Sequence, residues 1–411
     1  MKKALFPEEI KKDGRLYITL LSLFELGDKI FGAIYIAFMR LRGASLPCIS
    51  MLFSIQQVLM AVLDLPSGAI SDKIGRKKTA SLGFIVWGIS IQLFCLGVSF
   101  WTFLPSIILF ALGMALISGA PGSWFIEQII KKGVYEKRGE ILPKAQTIIR
   151  LFSILAALIS FVLVNYSNEI TILVAGGLVI LAGIIGLITG EDNYGNVSEA
   201  KIHIILIESI GSFVKSKCLL VMALKTVAGY VSFIAFILYW QIYATEYVNI
   251  STKYLGAILV LFMIALMMGN YFASLMAKRA SIFSVVLAGY IVCLLGYSVL
   301  LINIHNAEPL FLIGACIIEL GFGIEQAATV VWLNDYFDSS IRATYSSLFS
   351  TIECVFGFLI INILGIIAER YGINLIWAFA ASSIVVTLVV MIWLNNISRV
   401  EGRSAKCLNV Q

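Results

Sequence analysis

Nine ionisable side chains lie inside long apolar stretches of this 411-residue chain, where burying a charge is costly. Six are acids and three are bases, so three acids lack a basic counterpart. Removal from water favours the protonated form of a carboxyl group, which suits it to carry a proton, whereas an ionised carboxylate can attract a cation. Both kinds of chemistry fit the sequence, and either one gives the surplus acids a function. The nine residues are Glu25, Asp28, Lys29, Asp64, Arg150, Lys225, Glu319, Glu325 and Glu353.

Two of these acids lie near the middle of their apolar stretches. A helix rises 1.5 Å per residue, which places Asp28 about 18 Å and Glu319 about 15 Å from the start of its stretch. Both depths are near the centre of a hydrocarbon core about 30 Å thick. These two residues are therefore the main candidates for proton coupling, and Asp64, Glu325 and Glu353 are further candidates.

The bases in these stretches have simpler explanations. Glu25 and Lys29 are four residues apart on one helix face, so we expect them to form an ion pair, although Glu25 remains a candidate for proton coupling. Arg150 and Lys225 lie near the ends of their stretches, where a long side chain can extend its charge to the membrane surface.

The composition predicts the elements that hold these residues. Of all residues, 60% are hydrophobic and 13% are charged, which is about half the charged fraction of water-soluble domains. We therefore predict an all-α membrane protein, because the apolar runs are long and continuous, unlike the short alternating strands of a β-barrel. A spanning helix needs about 20 apolar residues, and twelve stretches qualify. They are 16–39, 48–70, 79–98, 101–126, 146–165, 170–190, 218–242, 254–276, 281–302, 309–333, 344–368 and 372–394.

Lysine and arginine residues orient the predicted spans, because these residues concentrate on the cytoplasmic side of a membrane. With both termini in the cytoplasm, 23 of the 30 basic residues lie inside, four lie outside and three lie within spans. The net charge of +6 therefore reflects topology, and we expect no nucleic-acid partner. The sequence predicts a multi-pass membrane protein with the lipid bilayer as its environment.

The longest polar interval divides the spans into two sets of six. It covers 191–217 and has an apolar stripe at helical spacing, which is typical of a helix on the membrane surface or between two halves. We therefore predict an N-terminal six-helix bundle at 1–190, a cytoplasmic linker at 191–217 and a C-terminal six-helix bundle at 218–411.

The connection between the second and third spans has a distinctive sequence. Gly75 allows a tight turn, and Asp72 can cap the next helix or pair with Arg76. The order of glycine, aspartate, glycine and basic residues resembles the loop signature of the major facilitator superfamily of secondary transporters, with all of its defining positions filled. The resemblance implies two pseudo-symmetric bundles and transport by alternating access. It also implies a monomer in the inner or cytoplasmic membrane. The segment reads Gly68-Ala-Ile-Ser-Asp72-Lys73-Ile-Gly75-Arg76-Lys77-Lys78.

The resemblance covers most of the chain. In the superfamily, spans one, four, seven and ten line a central cavity, which implies a cavity position for Asp28 and Glu319. Three further segments resemble drug-exporter-like members. They are Asp64-Leu-Pro66-Ser-Gly68, Ser118-Gly119-Ala120 followed by Trp124 and Glu127, and Arg342-Ala343-Thr344 followed by Ser347.

The resemblance also implies a charge latch on the cytoplasmic side. In this role, charged residues of the loop signature and of the fourth span hold the outward-open state and separate on return. The residues at the matching positions are Gly68, Asp72, Gly75, Arg76, Glu127 and Arg342.

One departure concerns the mode of energy coupling. The glycine-rich run that marks antiporters on the fifth span is absent, and the chain reads Arg150-Leu-Phe-Ser-Ile-Leu-Ala-Ala there. Our main hypothesis is the export of a small amphipathic drug or metabolite by proton antiport. Proton-coupled uptake of a nutrient or metabolite remains an alternative, as does a non-transporting membrane sensor on the same fold.

Aromatic residues on the seventh span are candidate substrate contacts. Tyr230 and Tyr239 lie deep enough to stack on a planar or cationic ligand, although aromatic residues also collect at membrane interfaces. The sequence has two histidines, and its seven cysteines form no C-x-x-C pair, so we predict no metal site and no cofactor. A nucleotide-binding loop and a hydrolase signature are also absent, so we do not expect an enzyme. The expected ligands are a small molecule and protons.

Overall fold

The computed structural model describes residues 6–194, 217–302, 308–336 and 342–400, and within these ranges every regular element is helical. The chain forms two compact units, Met1–Glu199 with Ser251–Leu259 and Ala200–Ile250 with Val260–Gln411. Most of the predicted linker, residues 195–216, lies outside the described ranges. The boundaries of the two bundles and of the linker therefore remain predictions.

Among the described residues, the first unit contains eight α-helices. Short 3₁₀ turns at Glu8–Ile10 and Tyr135–Lys137 precede α1 and α7. The helices are α1 Lys11–Gly32, α2 Tyr35–Leu41, α3 Leu46–Ile74, α4 Arg76–Phe94, α5 Phe100–Ile117, α6 Ala120–Lys131, α7 Arg138–Leu163 and α8 Asn168–Ile188.

Six further helices follow in the part of the chain that the structure describes. A π-helical segment at Tyr243–Tyr247 continues the first of them, and a 3₁₀ turn at Thr252–Tyr254 precedes the second, which starts within Ser251–Leu259 of the first unit. The helices are α9 Lys217–Ile242, α10 Leu255–Met276, α11 Ile282–Leu301, α12 Glu308–Tyr336, α13 Arg342–Tyr371 and α14 Ile373–Val400.

Local sequence explains where several helices begin and end. Ser45, Ser167 and Ser281 each precede a helix, and the side chain of each accepts a hydrogen bond from a backbone N–H of the first turn. Ser99 and Thr102 form a reciprocal capping box at the start of α5. Gly75 ends α3 with a φ of 109°, a conformation that disfavours any residue with a Cβ.

The predicted fold class, an all-α membrane protein, is confirmed. Among the described residues, ten helical segments are long and apolar enough to cross a membrane. The first and third predicted spans coincide with α1–α2 and α4, which do not meet that criterion, so twelve spans agree approximately with the structure.

Two predicted spans are each divided into two helices. The span predicted at 16–39 breaks after Gly32, and glycine is a weak helix former. The span predicted at 101–126 breaks at Gly119, which has a φ of 70°, and Pro121 then starts the next helix. The predicted spans did not include either of these breaks.

Glycines bring neighbouring helices into backbone contact, as expected for packing between apolar helices. A Cβ at Gly88 on α4 would lie 2.8 Å from the carbonyl oxygen of Gly176 on α8. A Cβ at Gly289 on α11 would lie 2.7 Å from the backbone nitrogen of Glu325 on α12. The second contact holds α11 and α12 together at the level of an ionisable residue.

Candidate functional site

The first group of charged residues lies on α1. The Nζ atom of Lys29 is 2.5 Å from Oδ2 of Asp28, and both side chains are partly buried. Glu25 instead accepts a hydrogen bond of 2.6 Å from the Ser153 hydroxyl on α7. The expected ion pair between Glu25 and Lys29 is therefore replaced by one between Lys29 and Asp28. The long lysine side chain reaches its sequence neighbour, and a residue of another helix satisfies Glu25.

A second group lies in the other unit and is centred on Glu325 of α12. Its Oε1 atom is 3.2 Å from the Lys225 ammonium of α9 and accepts hydrogen bonds from the hydroxyls of Tyr290, at 2.9 Å, and Thr329, at 2.6 Å. The lysine side chain is 6% exposed and the glutamate 13%. These four residues, on α9, α11 and α12, form a buried polar cluster that we name the Lys225 cluster.

The expectation that Lys225 extends to the membrane surface is wrong. Its ammonium lies inside the unit, 5.2 Å from the centre of the Tyr290 ring and 5.7 Å from that of Trp332. Aromatic faces attract a cation at such distances, so both rings add to the stabilisation that Glu325 provides. A glycine makes this arrangement possible, because a Cβ at Gly229 would lie only 2.6 Å from the Tyr290 hydroxyl.

Glu319 has a different environment from Glu325, although both lie on α12. Its side chain is half-buried, and among the described residues no hydrogen-bond donor or ion-pair partner contacts it. Glu353 on α13 is likewise half-buried and without such a contact in the described part of the chain. Asp64 on α3 is exposed. The acids predicted for proton coupling therefore divide into paired and unpaired groups.

The turn between α3 and α4 brings together the charged residues of the predicted latch. The Arg76 guanidinium lies 3.1 Å from Oδ1 of Asp72 and 3.6 Å from Oε2 of Glu127, which is on α6. Gly75 supplies the turn between the two helices. Gly68 lies within α3 with open space around the position of a Cβ, so no close packing requires a glycine there. The side chain of Arg342 at the start of α13 lies outside the described part of the structure.

The contacts of Asp192 and Lys77 next to the latch were missed by the sequence analysis. Asp192 accepts hydrogen bonds from the backbone N–H groups of Lys77 and Lys78, both at 2.9 Å. The Lys77 ammonium donates to the backbone oxygens of Gly186 and Thr189, both at 2.6 Å. Because these contacts join residues more than 100 positions apart, the only signal in the sequence was the presence of Asp192 in the polar interval after the sixth span.

The exposed neighbour of Asp192 has a more ordinary role. Glu191 forms an ion pair with Lys131 at 3.0 Å, and both side chains are exposed. The hydrogen bond and the positive charge of Lys131 lower the pKa of the Glu191 carboxyl group. An exposed pair of this kind contributes little to stability.

The two candidate substrate contacts differ in accessibility. Tyr230 is half-buried, and its ring lies against Gly357 of α13. Tyr239 is 1% exposed, which is the burial of a core residue and leaves little surface for a ligand. Within the described ranges, no group of three or more histidine, cysteine, aspartate or glutamate residues could hold a metal ion.

Apolar helices of spanning length, with charged residues held inside them, define a multi-pass membrane protein. The family model described as Major Facilitator Superfamily matches residues 18–360, and the chain belongs to this family of membrane transporters. An uncharacterized MFS-type transporter of Methanocaldococcus jannaschii is 28% identical over 134 residues. That match spans 33% of this chain and 33% of the relative's own length.

Solved structures of transporters share the fold. The nucleoside transporter NupG, in a mutant form, has a TM-score of 0.80 at 11% identity and covers 92% of this chain and 99% of its own. A D-xylose-proton symporter has a TM-score of 0.70 at 12% identity, with coverage of 92% and 97%. A bacterial homologue of the human lysosomal transporter Spinster has a TM-score of 0.69 at 14% identity, with coverage of 97% and 98%. At sequence identities this low, the structural similarity shows a common fold alone.

Proposed function

We propose that this transporter couples the movement of a small amphipathic compound to protons, and that it exports the compound by antiport. In this cycle the compound binds from the cytoplasm, and protonation from outside discharges it. The protein acts as a monomer in the inner or cytoplasmic membrane, with both termini in the cytoplasm. The distribution of basic residues supports this orientation.

The observation that carries the proposal is the contrast between the two acids of α12. Glu325 has a lysine and two hydroxyl groups as partners, so its charge is compensated inside the unit. Glu319 has no such partner among the described residues. An uncompensated carboxylate in an apolar helix is costly, which favours proton uptake there. Glu319 is therefore our first choice for the proton carrier.

Asp28 is the second choice, because it lies at a similar depth on α1 and is only partly compensated. Its partner is the adjacent Lys29, which is itself partly exposed. Protonation of Asp28 would release the Lys29 ammonium, so proton uptake at this pair changes the charge available to a ligand. The remaining candidates for the proton carrier are tested after these two, and they are Glu25, Asp64, Glu325 and Glu353.

The cytoplasmic latch belongs to the same proposal. Asp72, Arg76 and Glu127 are close enough to form a charge network in the first unit. We propose that this network holds one end state of the transport cycle and loosens in the other. We include Arg342 in the latch because it lies in the segment of the eleventh span that resembles drug-exporter-like members.

Proton-coupled uptake is the second candidate function. The missing glycine-rich run on the fifth span favours it over antiport. Proteins of the same fold include a nucleoside transporter, a D-xylose-proton symporter and proton dependent oligopeptide transporters. The substrate panel must therefore include nucleosides, sugars and short peptides as well as amphipathic cations and neutral amphiphiles.

The test measures proton movement triggered by each compound in liposomes that contain the purified protein. Opposite movement of compound and protons supports antiport, and joint movement establishes symport and refutes the proposed direction. Glu319→Gln should abolish proton movement while the compound still binds, because the amide cannot ionise. Glu369→Gln on α13 is a matched control outside the candidate acids. Unchanged coupling in both Glu319→Gln and Asp28→Asn would refute the assignment of the carrier.

A further inference from the structure

The start of α4 is capped by Asp192, which follows α8 and is more than 100 positions away along the chain. Each carboxylate oxygen of Asp192 accepts one hydrogen bond from a backbone N–H of the first turn of α4, at Lys77 and Lys78. These N–H groups have no partner within the helix, and an acid at a helix N-terminus also interacts favourably with the helix dipole. The carboxylate packs against Gly75, and a Cβ at that position would overlap it.

The end of α8 is capped in return by a residue of α4. The Lys77 side chain is buried, with 5% of its surface exposed. Its ammonium donates to the carbonyl oxygens of Gly186 and Thr189, which are free because α8 ends there. Asp192, which follows α8, therefore caps the start of α4, and Lys77 of α4 caps the end of α8. We name this pair the reciprocal cap.

Residues 191–193 also bind α4 and α6, the helices of the latch residues Arg76 and Glu127. The backbone N–H of Arg76 donates to the carbonyl of Asn193 at 3.0 Å. The indole N–H of Trp124 on α6 donates to the carbonyl of Glu191 at 3.0 Å, and the Asn193 amide donates to the carbonyl of Trp124 at 2.9 Å. One short segment is thus bonded to the backbone of Arg76 and to the helix of its partner Glu127.

We propose that Asp192 is a positioning residue for the latch and acts through the reciprocal cap with Lys77. It fixes the first turn of α4, and this turn sets the direction from which the Arg76 guanidinium reaches Asp72 and Glu127. This inference rests on the proposed function, because it assigns a part in the proposed latch.

Hydrogen exchange tests the physical part of the proposal without any transport assay. Asp192→Ala removes both acceptors, so the amides at the start of α4 should exchange about tenfold faster, as expected for loss of a helix cap. Asp192→Asn keeps one acceptor and should give an intermediate rate. Glu191→Gln, which removes only the exposed ion pair with Lys131, should leave the rate unchanged. Equal rates in Asp192→Ala and the wild type would refute the cap.

A transport assay then separates positioning from a merely structural role. Asp192→Ala should lower kcat for transport with little change in KM, and the double variant with Arg76→Ala should be no slower than Arg76→Ala alone. Such non-additivity is expected when two residues act through one device. Independent, multiplying effects would overturn the proposal. If Asp192→Ala does not fold, Asp192→Asn takes its place in the same cycle.

The two assays distinguish failure of this inference from failure of the proposed function. A wild-type protein that moves none of the test compounds would refute the proposed function, and the exchange rates would still decide on the cap. Normal proton-coupled transport by Asp192→Ala, with kcat unchanged, would refute the positioning role alone.

Discussion

The buried ion pair between Lys225 and Glu325 gives the sharpest stability prediction. Lys225→Met removes the ammonium and, among the described residues, leaves Glu325 with the Tyr290 and Thr329 hydroxyls as donors. The two charged side chains are 6% and 13% exposed, so solvent screens them little. Removing one member of such a pair costs about 3–5 kcal/mol of the free energy of unfolding. For a unit of about 200 residues, this corresponds to a fall in Tm of roughly 10 °C.

The matching double variant decides whether the loss comes from an uncompensated charge. Lys225→Met combined with Glu325→Gln removes both charges and keeps side chains of similar volume. Replacing a buried ion pair by neutral groups is often nearly neutral, so we expect the double variant to regain most of the loss, to within about 1 kcal/mol of the wild type. The coupling energy should therefore be large and favourable.

Thermal unfolding in detergent, followed by tryptophan fluorescence, measures these effects. Lys278→Met is the control, because it removes an exposed lysine of the same unit and should change stability by less than about 0.5 kcal/mol. Additive losses in the two single variants would refute the reasoning. A Lys225→Met protein as stable as the wild type would refute it as well, since the pair would then contribute nothing.

Two glycine substitutions test the close contacts around the candidate sites. Gly75→Ala should destabilise the protein by about 1–3 kcal/mol, because φ is 109° and the added methyl group overlaps Asp192; an unchanged Tm would contradict this geometry. Gly229→Ala should cost about 1–3 kcal/mol, because its Cβ would lie 2.6 Å from the Tyr290 hydroxyl and displace it from its carboxylate partner. Gly177→Ala on α8 is the control for both in thermal unfolding, since open space surrounds its Cβ position.

The fold was predictable from the sequence because a membrane requires each spanning helix to be apolar over about 20 residues. Long apolar runs gave the all-α class and nearly all of the helices. The breaks at Gly32 and Gly119 were not predicted, because an apolar run continues through both, and hydropathy alone does not register a local change in backbone direction.

The contact between Asp72 and Arg76 was predictable from their spacing. Asp72 and Arg76 are four residues apart on consecutive elements, so sequence spacing brings them within reach of each other. Glu127 required the resemblance to a known family, because its distance along the chain from Arg76 carries no geometric information.

The partners of the remaining charged residues depend on tertiary packing. Lys225 and Glu325 are 100 positions apart, and the lysine is close enough to a helix end that an interfacial position was the simpler expectation. The structure replaces that expectation because Gly229 and Gly289 let α9, α11 and α12 approach at this level, where Tyr290 and Trp332 enclose the ammonium. The same packing leaves Glu319 without a described partner six residues away on α12. Small residues on neighbouring helices therefore decide which acid of α12 receives a buried lysine as its partner.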